Sequence, residues 1–290
     1  MPAAALMVDA AGAVGRRSVV GASPVVSYGE DALFVSSLGH DQQDSTQFLQ
    51  AALDSTASTV VIDQVPGGWV TDPLFLNRGD VTIVVEPGVM VKAKPNSFPG
   101  SNDSLLTVRD AGNVLISGYG ASFAMQKKQY TSGEWRMALK LLGVQDVTVE
   151  GLVLRDSGGD GVYIGRSNQS AYCSNVVLRD LVCDNNRRNA LSVISVDGLV
   201  VEGCQFSQTQ GTLPESGVDF EPNFADERIS NITMTDCVFE GNITRGVSVI
   251  LSALDQTSAP VSVLIDRATV SHHMGESRQL PSAVFMTSAR

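Results

Sequence analysis

At 290 residues, with 43% hydrophobic and 18% charged side chains, the chain has apolar content for a continuous core and too little charge for a disordered polymer. A formal net charge of −11 argues against nucleic acid as a partner, because that binding rests on Lys and Arg neutralising phosphates. No apolar run is long enough to span a bilayer, and the arginines of Met1–Gly21 follow its apolar stretch instead of preceding it, which makes a poor secretory signal.

Residues 1–43 read as a lead-in segment. The stretch Asp44–Leu53 reads as a short helix, with Asp44 and Gln47 spaced as a capping box and Phe48, Leu49, Ala52 and Leu53 on one face. Strand-like runs begin at Thr59, separated by turns such as Glu86-Pro87-Gly88 and Gly118-Tyr119-Gly120. From there the chain repeats. Runs starting at Gly161, Ala190, Gly217 and Gly246 recur at intervals of 29, 27 and 29 residues, and an earlier copy at Ala138 precedes the first by 23. Each is a small residue followed by alternation with period two, the pattern of a strand with one buried face.

Two further strand-like runs fill each interval, for example Asp146–Glu150 with Leu152–Arg155. Three short strands per turn and no helix-length pattern between them describe an all-β, single-stranded parallel β-helix, with the helix at residue 44 as its plug. Leu152, Leu181, Cys204 and Cys237 then form one inward ladder, and Leu154, Cys183, Phe206 and Phe239 its neighbour. Asp156, Asn185 and Gln208, with Ser157, Asn186, Thr209 and Asn242, fall at the turn that follows. Cys173, Cys183, Cys204 and Cys237 lack metal spacing and read as core thiols. The coils extend over residues 44–270, and 271–290 reads as an irregular C-terminal segment in which no terminal cap is recognisable, as expected of a truncated chain.

The helix Asp44-Ser45-Thr46-Gln47-Phe48-Leu49-Gln50-Ala51-Ala52-Leu53, with the segments Gly158–Gly165 and Gly217–Asn223, resembles the right-handed β-helix proteins of the pectate-lyase-like superfamily, in its carbohydrate-active branch. The resemblance implies right-handed coils and a polysaccharide or oligosaccharide partner, acted on in an extracellular or periplasmic setting. The chain departs from relatives that carry a Gly-His-Gly, Arg-Ile-Lys or Asp-Pro-His motif, so the resemblance does not choose a reaction. Oligomeric state is left open, since an exposed solenoid face suits a monomer or a trimer.

Alternation places Lys140, Tyr163, Ser192, Asp219 and Ser248 in one outward row, with Glu221 in the next. Asp219 and Glu221 lie about 7 Å apart along the strand and are expected to face solvent together, at a spacing compatible with retaining or inverting glycoside hydrolysis. Gly161, Ala190, Gly217 and Gly246 are expected to keep the strip low, as the floor of a groove. The competing explanation is a solvated sheet face with ion pairs worth at most about 1 kcal/mol each.

Three function classes follow. In a glycoside hydrolase, the preferred one, Asp219 and Glu221 supply acid and base or nucleophile, Asp160 tunes them, and Arg188 assists, with Lys140, Tyr163, Arg187, Ser192 and Trp135 on the substrate and no metal required. In a uronate lyase, Asp160, Asp219 and Glu221 would hold Ca²⁺, the only cofactor implied, and Arg188 or Lys140 would abstract a proton. The third is a non-catalytic, glycan-binding tailspike-like module.

Overall fold

The computed structural model describes residues 5–9, 28–29, 31–131, 134–271 and 285–287. Apart from Ser271 and the strands Ala5–Asp9 and Phe285–Thr287, the expectations for Met1–Gly21 and for the C-terminal segment lie outside the described residues.

The runs that recur in the sequence form the third of three parallel sheets. Strands Leu139–Leu142, Val162–Gly165, Asn189–Val193, Ser216–Phe220 and Arg245–Ile250 are neighbours in that order, with Leu139 opposite Val162, Leu191 opposite Val218, and Val218 opposite Val247. Between successive members the chain adds one strand to the first sheet and one to the second, as Gln145–Glu150 and Val153–Arg155 do. The first sheet has ten strands and the others eight each, so the architecture is the three-strand coil read from the sequence. Val162, Ile164, Leu191, Val193, Val218, Phe220, Val247 and Val249 all point into the core.

The corners explain why Gly, Asp and Asn recur between strands. One residue in the left-handed region turns the chain from the first sheet to the second: Gly151 at φ 72°, Asp180 at 52°, Gly203 at 64° and Asp236 at 55°. Glycine and aspartate tolerate that geometry better than other residues. The corner from the second sheet to the third uses Asp156, Asn185 and Gln208 in the same way, at φ 58°, 51° and 55°. Each is followed by a fully buried polar residue, Ser157, Asn186 or Thr209. Asn186 Oδ1 accepts from Ser157 N at 3.1 Å and its Nδ2 donates to Leu154 O at 3.1 Å. Asn242 repeats the device on Thr209 N and Phe206 O. Asn186→Ala removes the buried side-chain bonds to Ser157 N and Leu154 O, and is expected to lower unfolding stability by about 1–3 kcal/mol in chemical denaturation.

Inside, Leu154, Cys183, Phe206 and Phe239 stand in register, and the Phe206 and Phe239 rings stack with centroids 5.5 Å apart. The four cysteines are free and buried. The helix Thr46–Leu53 buries Leu49, Ala52 and Leu53 against the first coil. Its Gln50 donates to Phe75 O at 2.8 Å and accepts from Phe75 N at 2.9 Å. It thereby pairs backbone groups on the edge strand Leu74–Leu76, the protection an open solenoid end needs. The expected Asp44–Gln47 capping box does not form. Asp44 accepts from Thr46 N at 3.0 Å and pairs with Lys94 at 2.6 Å, which holds its carboxyl down at about 2 and ties the helix to the coils.

Candidate active site

The outward row of the third sheet is the one alternation predicts. Lys140 lies opposite Tyr163, Tyr163 opposite Ser192, Ser192 opposite Asp219 and Asp219 opposite Ser248. Outward does not mean exposed here. Lys140 is 5% accessible, Ser248 3%, and Ser192 and Asp219 0%, because side chains and loops cross above the strands. The expectation that the acids face solvent together is corrected for Asp219, whereas the Glu221 side chain remains 31% accessible.

Arg188 is the centre of this cover. It reaches the strand face from the turn before Asn189–Val193 and donates to Glu221 Oε2 at 2.9 Å and to Ser192 Oγ at 3.3 Å. Its guanidinium also lies 3.6 Å from Asp160 and 3.9 Å from Glu134. Asn189 lies beneath, donating its backbone N–H to Asp160 Oδ1 at 3.0 Å and its side chain to Ser192 Oγ at 3.0 Å and Asp219 Oδ2 at 3.4 Å. Asp219 Oδ1 is buried and has no hydrogen-bond partner of ordinary geometry. Buried polar atoms are rarely left so, and a carboxylate in this state beside a second acid is a candidate for a chemical role.

Burial pushes the Asp219 carboxyl up to about 7, the nearby charge of Glu221 adds to the rise, and Arg188 and the Ser248 hydroxyl oppose it. Burial likewise raises Asp160 to about 6 against the pull of Arg188, the Ser192 hydroxyl and the Asn189 amide. Burial alone would lower Arg188, but Asp160, Asp219 and Glu221 outweigh it and hold the guanidinium more firmly protonated. Unfolded aspartates titrate near pH 4. Between there and about pH 7 the folded chain therefore keeps protons that the unfolded chain has released, and stability falls as pH rises through that window. Asp219→Asn is expected to flatten this fall in melting temperature against pH. Parallel curves for the two proteins would show that Asp219 does not carry the proton.

The structure gathers Asp160, Arg188, Ser192, Asp219 and Glu221 into one network. Tyr163 lies in the same row, half-buried, with its phenol pushed up to about 12 by burial. Lys140 is held below a loop by Asn102 O and Oδ1, and burial brings it down to about 8. Arg187 turns away, bonding to Tyr130 O and Thr212 Oγ1. Trp135 is 45% exposed, next to Glu134 at the rim. The glycines do not floor a groove. A Cβ on Gly161 would meet Asn186 Nδ2 at 2.7 Å and Cys183 Cβ at 3.1 Å, and one on Gly217 would meet Phe239 at 2.9 Å. They are small because the chain enters each strand tight against the asparagine ladder and the aromatic stack.

Sequence reasoning missed Asn189 and Glu134. Asn189 was within reach, because the residue before each small residue, Asp160, Asn189 or Ser216, is itself a row. The Asp160 and Asn189 side-chain oxygens accept from the backbone N–H one coil on, Asn189 N and Ser216 N. Among the described residues no group of three His, Cys, Asp or Glu is arranged to hold a metal ion, and Asp160 and Glu221 converge on the Arg188 guanidinium instead. A separate hollow of about 360 Å³, lined by Asp110, Gln145, Gln169 and Tyr172, lies at another corner of the coils. Among the described residues no helix is long and apolar enough to cross a membrane.

Residues 82–274, more than half of the chain, match the family described as right handed beta helix region. The chain belongs to that family. A curated relative, the SPbeta prophage-derived uncharacterized protein YorA of Bacillus subtilis (strain 168), is 24% identical over 217 residues, 68% of this chain and 35% of its own length. ORF18 of Geobacillus virus E2 has a similar structure, with TM-score 0.59 and 14% identity over 75% of this chain and 47% of that one. The iota-carrageenase of family GH82 from A. fortis gives TM-score 0.54 and 15% identity over 79% and 55%. This β-helix chain thus spans about a third to a half of those relatives' lengths, and at these identities the two structural likenesses are ones of fold.

Proposed function

We propose that this β-helix protein cleaves glycosidic bonds of a polysaccharide by hydrolysis at the Asp219–Glu221 pair. The observation that carries the proposal is the contrast between the two acids on one strand. Asp219 is buried, has an oxygen without a partner and holds its proton up to about pH 7, whereas Glu221 is partly exposed and ion-paired with Arg188. Two carboxyls whose environments separate their roles are what general acid and base, or acid and nucleophile, require. Asp219 then protonates the leaving oxygen, and Glu221 activates water or attacks the anomeric carbon.

The Arg188–Glu221 pair must part as substrate enters, with sugar hydroxyls replacing Glu221 on the guanidinium. An iota-carrageenase of the same fold supports a carbohydrate substrate, and such a substrate implies action outside the cytoplasm. The lyase alternative is less well supported, because both of its candidate bases are engaged: Arg188 is held protonated beside Asp160 and Glu221, and the Lys140 ammonium donates to Asn102 O and Oδ1. The deciding experiment is a panel of polysaccharides incubated with and without chelator. New reducing ends without ultraviolet absorbance, insensitive to chelator, are expected. Unsaturated, absorbing products would instead establish a lyase, and tight binding with no product a glycan-binding module.

A further inference from the structure

Among the described residues the exposed Phe and Trp side chains are Phe75, Trp135 and Phe224, and all belong to the third sheet or to loops that enter or leave it. Phe75 stands at the far end of the outward row, opposite Thr107 and so in line with Lys140. Trp135 and Phe224 lie closer to the acids. Trp135 follows Glu134, whose carboxylate approaches Arg188, and Phe224 comes three residues after Glu221.

Phe224 is 54% exposed, yet its loop is braced. The Arg166 guanidinium lies over the ring, 4.9 Å from its centroid, and is held by both oxygens of Asp226, at 3.1 and 3.4 Å. Glu227, 1% accessible, accepts from Asn223 N and Phe224 N through one oxygen while the other has no hydrogen-bond partner. A large apolar side chain held in water by a stacked cation and a buried carboxylate gains nothing for folding from its exposed area. A rigid ring needs little ordering when a ligand arrives. Its π face suits the C–H face of a sugar ring.

The charges on this side narrow the sugar. Arg188 is engaged by carboxylates, Arg166 by Asp226 and Lys140 by Asn102. The exposed cations on this side are Arg109, at the end of strand Leu106–Arg109, Lys128, in the loop before strand Leu139–Leu142, and Arg245, at the start of strand Arg245–Ile250. A polyanionic glycan would find carboxylates and few available cations, on a chain whose net charge is −11.

We infer that Phe224, mounted on Arg166 and braced by Glu227, is a sugar-stacking platform opposite Trp135, and that the glycan bound between them is neutral, held by stacking and hydroxyl contacts and not by ion pairs. The inference rests on the proposed placing of substrate at Asp219 and Glu221, but it concerns binding and is tested without turnover.

Equilibrium binding of soluble neutral glucans, mannans and galactans is compared with that of polygalacturonate and iota-carrageenan, for the wild type and for Phe224→Ala, Phe224→Trp, Trp135→Ala and Arg109→Ala. A neutral glycan is expected to bind best, with little dependence on salt. Phe224→Ala and Trp135→Ala are expected to weaken it several-fold to about tenfold, with Phe224→Trp restoring affinity and Arg109→Ala without effect. Preference for an anionic glycan, lost in salt, overturns the inference whether or not Arg109→Ala removes it, as does neutral binding indifferent to Phe224, or no binding of any neutral glycan. Phe224-dependent binding with no product would leave the inference standing and remove the hydrolase, whereas hydrolysis indifferent to Phe224 would do the reverse.

Discussion

Phe206→Ala is expected to lower unfolding stability by about 3–5 kcal/mol, read as a shift in denaturant midpoint at unchanged slope. Phe206 is fully buried in the second sheet, between Cys183 of the preceding coil and Phe239 of the next. Removing its ring deletes the stacked contact with Phe239 and leaves a hollow that the coils cannot close, because each is fixed to its neighbours by backbone pairing on all three sheets. In a solenoid the damage falls on nearest-neighbour interfaces, so loosening of the adjacent coils should accompany the loss. A change below about 1 kcal/mol would mean that Phe206 is not packed as described.

Asp219→Asn and Glu221→Gln are each expected to abolish turnover of the substrate found in the polysaccharide panel, while the protein remains folded. The amides are near-isosteric, and neither carboxylate supplies apolar packing. Asp219 accepts from Asn189 Nδ2 and lies against the Ser248 hydroxyl, and an amide oxygen can still accept from either. In the wild type the rate should fall as pH rises through about 7, where Asp219 gives up the proton that the proposed mechanism has it donate. Full activity in both variants would remove this site from catalysis. Activity lost in Glu221→Gln alone would leave Asp219 as a buried structural acid.

The coils were legible because their signals are local and repeated. Period-two alternation at Val162/Ile164, Leu191/Val193 and Val218/Phe220 has one solution that buries the apolar set, and the recurrence interval then forces Ser192, Asp219 and Ser248 into line. The asparagine corners were legible for the same reason, since Ser157, Asn186 and Thr209 hold the same place in successive turns. What alternation cannot say is what lies over an outward face. Lys140 and Asp219 point outward yet are buried, because Asn102 and Arg188 reach over them from elsewhere in the chain and no period connects those partners.

The glycines show the same division. Their smallness was visible at Gly161 and Gly217, but the choice between an open groove and a tight inner approach depends on where the Asn186 amide and the Phe239 ring stand, one coil away. The amino-acid sequence by itself determined the coil, its register and which side chains leave the core, since these follow from each residue's place in a repeating pattern. Only the tertiary structure decided that one acid of the pair is buried and protonated up to about pH 7 while the other meets solvent, because burial and charge are set by groups brought together across coils.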